Sequence, residues 1–314
     1  MVVGRNKNFI SLKYFSASQI KTLVDLAAKV KKKPGHYRKA LDGKCIGLIF
    51  QKPSLRTKSA FFVGALQLGA HPVYYAPEEI KLGEREKICD AASNFSRFLD
   101  AIVMRTFSHK TILEFVCHSR IPVINGLSDL LHPSQVIGDL LTLREFKGNI
   151  KTIKVAYIGD GNNVCHSLMH AFSILGGNFI MACPGRYGPD KSILDESRKF
   201  AKISGAEIRL TRSPQEAAKN ADVIYTDVWT SMGQEKEQIA RKKIFKSFQV
   251  NEKLLSLAKN DCMVMHCLPA HRGEEITDSV MDSDNSVVFD QAENRLHSAK
   301  AILLSVLGDT ADRR

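Results

Sequence analysis

Met263-Val264-Met265-His266-Cys267-Leu268-Pro269-Ala270-His271-Arg272-Gly273-Glu274-Glu275 begins as a short apolar run and stops at a packed set of reactive side chains. Four or five buried apolar residues fit a parallel strand covered on both faces, and ligands of open α/β sheets gather beyond the carboxyl ends of such strands. Cys267 stands at that end. A free cysteine also behaves as a small buried hydrophobe, so the stretch alone leaves Cys267 open between core thiol and site.

Working outward, the same pattern recurs. Cys45–Phe50 reads as a buried strand, followed by Lys52-Pro53-Ser54-Leu55-Arg56-Thr57-Lys58 and then by Phe61, Ala65 and Leu68 at helical spacing. A strand-to-helix turn offers free backbone amides and the positive end of the helix dipole, and Ser54, Arg56, Thr57 and Lys58 add hydroxyls and charge. That chemistry suits a phosphate, although a hydroxyl-rich turn also caps a helix with no ligand present. Ala101–Arg105 is an apolar strand ending in a guanidinium, for which the ordinary alternative is a surface ion pair. In Leu131-His132-Pro133-Ser134-Gln135, Pro133 marks a helix start, with His132 before it and Gln135 in its first turn. The helix Val136–Phe146 is expected to bridge two lobes.

Lys154–Val164 is a strand turning into a helix through Gly159-Asp160-Gly161-Asn162-Asn163. The turn looks like the start of a dinucleotide fingerprint. Val164 replaces the third glycine, however, and no acidic residue closes the next strand, Phe179–Ala182, so NAD is not expected. The glycines instead bring Asn162 or Asn163 close to a small ligand. The strand Ala221–Thr226 ends at Asp227, and Trp229-Thr230-Ser231-Met232-Gly233 with the charged residues 234–247 reads as a mobile binding loop, with a solvated surface helix as the ordinary alternative. Ser286–Asp290 reads as a strand and Asn294–Leu307 as the last helix. The fold class is α/β: two lobes, each a mostly parallel sheet flanked by helices, joined by long helices. Residues 1–133, completed by about 294–314, form the first lobe and residues 134–293 the second.

The bulk composition narrows the function. A chain of 314 residues with 44% hydrophobic content has material for two domains. No apolar run is long enough for a bilayer and no secretory signal pattern opens the chain, so a soluble cytoplasmic protein is expected. Seven cysteines without CxxC spacing argue against a disulfide framework and a structural zinc site. The net charge of +12 is not organised into a nucleic-acid module: Lys31-Lys32-Lys33 and Arg241-Lys242-Lys243 read as solvated helix faces.

Taken together, Phe50–Lys58, His132-Pro133-Ser134-Gln135, Gly159–Asn163, Asp227-Val228-Trp229-Thr230-Ser231-Met232-Gly233, His266-Cys267-Leu268-Pro269 and Ala292-Glu293-Asn294-Arg295 resemble the ornithine carbamoyltransferase family over nearly the whole chain. The resemblance implies transfer of a carbamoyl group from carbamoyl phosphate to L-ornithine, with neither a metal nor an organic cofactor needed. It assigns carbamoyl phosphate to Ser54, Leu55, Arg56, Thr57, Arg105, His132, Gln135, Cys267, Leu268 and Arg295, and ornithine to Asn163, Asp227, Ser231 and Met232. Cys267, Arg105 and His132 become the catalytic set, with Cys267 orienting the amine or accepting its proton beside Asp227. A homotrimer, or a multiple of it, and a role in arginine biosynthesis are implied as well.

The match has gaps. Leu55, Lys58 and Phe62 stand where the family often has Thr, Arg and Glu, and Asp90-Ala91-Ala92-Ser93 stands for Asp-Thr-Ala-Arg. Lys58 keeps charge but loses the planar fork of arginine, so weaker carbamoyl phosphate binding is expected. The rival readings are transfer to another amine, such as putrescine or an N-acylornithine, and a catalytically silent binding member.

Overall fold

Strands in this chain form where apolar runs can be covered on both faces. In the computed structural model, which describes residues 8–230 and 235–308, nine strands are β1 (Cys45–Phe50), β2 (His71–Tyr75), β3 (Ala101–Arg105), β4 (Val123–Leu127), β5 (Lys154–Ile158), β6 (Asn178–Ala182), β7 (Glu207–Thr211), β8 (Val223–Thr226) and β9 (Met263–His266). β3 and β8, inside their sheets, are buried at every residue, whereas the edge strands β2 and β7 keep several residues exposed. This is the expected contrast between a covered parallel strand and a sheet edge.

The chain folds into two compact units. One takes the residues up to Leu141 and from Glu293 on, and the other is Thr142–Ala292. The first holds a parallel sheet of order β2-β1-β3-β4 and the second a parallel sheet of order β7-β6-β5-β8-β9. In each, the strand order reverses once, between β1 and β3 and between β5 and β8. A reversal separates the crossover connections on either side and leaves a crevice beyond the carboxyl ends. The chain passes between units within the helices Pro133–Lys147 and Val288–Leu307.

Two expectations need correction. Ser286–Asp290 is not a strand: Ser286 makes one isolated bridge to Val264 and the helix starts at Val288, six residues earlier than the reading from Asn294. The apolar Val287-Val288-Phe289 run misled the reading. Val288 and Gln291 are buried while Phe289 is 68% exposed, a helical rather than a two-residue period. The charged residues after 234 are also structured: Gln238–Phe245 is a helix with a buried face of Arg241 and Phe245. Ser231 to Gln234 lie outside the described residues.

Gly161 shows how tightly the turn after β5 is packed. Its N–H donates to Tyr187 O at 2.9 Å, and a Cβ there would lie 2.4 Å from the Gly188 carbonyl. Because that neighbour is backbone, Gly161→Ala should cost about 1–3 kcal/mol through overpacking. A thermal melt with unchanged Tm would contradict this account of the turn.

Candidate active site

In the first unit, the turn after β1 feeds the helix Arg56–Gln67. Its N-cap, Leu55, makes no side-chain capping bond and is 74% exposed, so the hydroxyls of this turn do not serve as the cap. A helix start not capped by a side chain keeps amide donors for an anion. Thr57 is buried and its Oγ1 accepts from Arg295 Nη2 at 2.8 Å, which leaves the Thr57 hydroxyl hydrogen to be donated elsewhere. Arg295 Nη1 also donates to Gln135 Oε1, and Gln135 Nε2 donates to Asp139 Oδ1 at 2.8 Å. This chain of bonds orders a guanidinium and an amide beside the turn.

Arg105, at the end of β3, is 7% exposed, so the surface ion-pair reading fails for it. His132 is buried with its Nδ1 3.3 Å from Ser134 Oγ. Burial, then the positive charges of Arg295 and Arg105, push its pKa well below the ordinary 6.5. His132 is therefore a neutral imidazole at physiological pH, able to offer a hydrogen bond without adding charge.

Two of the departures from the family pattern, Lys58 and Ser93, find local partners. Lys58 Nζ lies 3.5 Å from the centroid of the Tyr74 ring, and Ser93 Oγ donates to Cys89 O at 2.8 Å. Lys58 thus spends its charge on an aromatic face.

In the second unit, Asp227 at the end of β8 is the centre. Asn162 Nδ2 donates to its Oδ2 at 2.6 Å, while Val228 N–H at 2.8 Å and Cys267 Sγ at 3.0 Å reach its Oδ1. Asn162 is oriented by three donors on its Oδ1: Tyr157 Oη, Val164 N–H and Cys165 N–H. It is the N-cap of the helix Asn163–Leu175, and Asn163 is that helix's first residue. The ends of β5, β8 and β9 therefore meet at one carboxylate. Sequence reading brought Asn162 or Asn163 close to a ligand but assigned only Asn163 to ornithine; an Asn directly before a helical pattern is the capping signal that marks Asn162.

Beyond Cys267, Leu268 has φ of +58°, a left-handed conformation that costs a leucine roughly 1 kcal/mol or more. Its N–H donates to His266 Nδ1 at 2.8 Å, so the proton of that imidazole sits on Nε2 and is donated to buried Glu275 Oε1 at 3.0 Å. Glu275, nine residues away, thereby sets the histidine that holds Leu268.

Arg241 corrects a third expectation. Far from a solvated face, it is 6% exposed and bonds Asp160 Oδ2 at 3.0 Å, Trp229 O at 2.9 Å and Glu237 Oε2 at 3.0 Å. It ties the turn before Asn162 to the segment after Asp227. Burial pushes the Asp160 carboxyl from 3.8 up to about 6 despite Arg241, with Asp227 and Glu237 opposing its ionisation further. Ser231 and Met232 lie outside the described residues.

Two groups of side chains have metal-ligand character among the described residues, Asp227 with His266 and Cys267, and His271 with Glu274 and Glu275. In the first, both imidazole nitrogens and both Asp227 oxygens already hold hydrogen bonds.

Parallel sheets with a helix start suited to an anion in one unit and a carboxylate–thiol centre in the other suit a group-transfer enzyme acting on small polar substrates. Comparison with known proteins makes this specific. The chain belongs to the aspartate/ornithine carbamoyltransferase family, whose carbamoyl-P binding domain matches residues 7–145 and whose Asp/Orn binding domain matches residues 151–306. It is similar to the ornithine carbamoyltransferase of Pyrococcus horikoshii, with 48% identity over 311 residues and 98% of each chain covered. A catabolic ornithine carbamoyltransferase of Thermoplasma acidophilum is 48% identical over 285 residues, covering 91% of this chain and 93% of that one. Among solved structures, the ornithine carbamoyltransferase of Pyrococcus furiosus superposes with a TM-score of 0.93 at 47% identity, covering 96% of this chain and 97% of that one.

The Asp160 pKa carries a sign that can be tested. The folded chain holds this proton more tightly than the unfolded chain, so its contribution to stability is present at low pH and lost as pH rises through about 6. In Asp160→Asn, the stability difference from wild type should therefore shift in the variant's favour by up to about 3 kcal/mol between pH 4 and pH 8. Denaturant melts across that range check it; a shift toward wild type at high pH would contradict the assignment.

Proposed function

We propose that the protein transfers the carbamoyl group of carbamoyl phosphate to the δ-amine of L-ornithine, giving L-citrulline and phosphate, in the direction of arginine biosynthesis. The observation that carries this reading is the Asp227 carboxylate bonded by Asn162 and Cys267, in a chain similar end to end to proteins named ornithine carbamoyltransferase. The anabolic direction draws support from the names of the Pyrococcus furiosus and Campylobacter jejuni relatives.

Carbamoyl phosphate is an anionic mixed anhydride. Its phosphate goes to the helix start at Ser54, Leu55, Arg56 and Thr57, and its carbonyl to Arg105, His132, Gln135 and Arg295, which offer donors where negative charge develops. A neutral His132 donates a hydrogen bond there without competing for the phosphate's charge. Attack needs the free amine, and at a pKa near 10.4 only about one part in 2,500 is unprotonated at pH 7. Asp227 and Asn163, with Ser231 and Met232, hold the α end of ornithine. Cys267 orients the δ-amine or takes its proton, and Leu268 contributes its backbone carbonyl. No step in this scheme runs through a metal or an organic cofactor.

Cytoplasmic location and a homotrimeric assembly, or a multiple of it, complete the proposal. No helix among the described residues is long and apolar enough to cross a membrane. Light scattering on the eluting protein should return three times the chain mass or a multiple of that.

The amine specificity is tested by running ornithine, putrescine, N-acetylornithine and aspartate in parallel with carbamoyl phosphate. Ornithine should be the preferred acceptor, and Arg56→Ala and Cys267→Ala should each lower citrulline formation by about 10²–10³-fold. Preference for another amine sinks the substrate assignment. Absence of any product from the wild type at saturating substrates would favour a silent binding protein.

A further inference from the structure

We propose that His271, Glu274 and Glu275 form a binding site for a divalent transition-metal ion of the zinc or cobalt type, separate from the Asp227–Cys267 centre. The residues follow β9 in the stretch after Pro269, and one ligand atom of each lies within 4.8 Å of the other two.

The decisive observation is Glu275. Its side chain is fully buried; Oε1 accepts from His266 Nε2 at 3.0 Å and from His271 N–H at 2.6 Å, while Oε2 is buried and accepts no hydrogen bond among the described residues. A buried carboxylate oxygen without a donor is costly and calls for a missing partner, either a water or a cation. The company it keeps favours a cation. Glu274 spends Oε1 on Lys242 Nζ at 2.6 Å, which leaves Oε2, and that atom lies 3.9 Å from His271 Nδ1.

The His271–Glu274 separation of 3.9 Å is near that of coordinated ligands, and the Glu275 carboxylate has one oxygen within 4.8 Å of both. Tetrahedral zinc with ligand bonds of about 2.0–2.2 Å places ligand atoms about 3.3–3.6 Å apart. Contraction from 3.9 Å asks for small side-chain rotations, which His271 at 43% exposure and Glu274 at 26% can make. One imidazole and two carboxylates are a borderline donor set suited to zinc or cobalt rather than to calcium or magnesium, which prefer oxygen alone. The ion would sit on the carboxylate whose other oxygen holds His266, and His266 holds Leu268.

Cobalt titration of the metal-stripped full-length protein tests the site, because cobalt reports its ligands in its absorption spectrum. The first equivalent should give visible d–d bands without a near-ultraviolet thiolate-to-cobalt band. Cys267→Ser should leave this binding intact, while His271→Ala and Glu274→Gln, both at solvent-accessible positions, should each weaken it at least about tenfold. A thiolate band from the first equivalent that disappears in Cys267→Ser would assign the ion to the Asp227–Cys267 centre and overturn the proposal. Equal cobalt affinity in wild type and His271→Ala, or no saturable binding, would overturn it too.

Discussion

The carboxylate of Asp227 is the constraint on which the second unit's site depends. One oxygen takes Asn162 Nδ2 and the other takes Val228 N–H and Cys267 Sγ. These partners come from the carboxyl ends of three neighbouring strands, so the sheet must keep its order β5-β8-β9 for the carboxylate to be satisfied. A buried carboxylate tolerates loss of a donor poorly. The geometry of Cys267 is therefore inherited from the sheet rather than from the loop that carries it. Arg241 reinforces the arrangement by bonding Asp160, two residues before Asn162, and Trp229, two residues after Asp227.

The first unit solves a different problem with the same architecture. Its ligand chemistry is anionic, and the turn after β1 answers with a helix start whose N-cap makes no side-chain bond, backed by Arg295 through Thr57 and Gln135. Burial first, and then the positive charges of Arg295 and Arg105, keep His132 neutral. The buried polar groups are bonded to one another in short chains, each group orienting the next. Such networks give placement more than stability, as the raised pKa of Asp160 beside Arg241 illustrates.

Most of this architecture was legible in the sequence because both sheets are parallel. Runs such as Cys45–Phe50 and Ala101–Arg105 announce covered strands, and the polar residues directly after them mark where ligands gather. What stayed hidden depended on tertiary contacts. Arg241 sits in a basic triplet with Lys242 and Lys243, and nothing local says that only Arg241 turns inward to Asp160. The left-handed Leu268 and its dependence on His266 and Glu275 involve a pairing across nine residues that no periodicity reveals. Val287-Val288-Phe289 has strand composition, but the burial of Val288 and Gln291 follows a helix. Ser231 and Met232 rest on resemblance alone.

Within the proposed function, the claim to test is that the thiol of Cys267, bonded to Asp227, takes the δ-amine proton of ornithine rather than only orienting the amine. The most direct measurement is the pH dependence of kcat and kcat/KM for ornithine in the wild type and in Cys267→Ser. The account predicts that the serine variant loses or displaces an inflection of the wild-type profile as well as rate. Profiles that superimpose after scaling would contradict it and leave Cys267 only an orienting role.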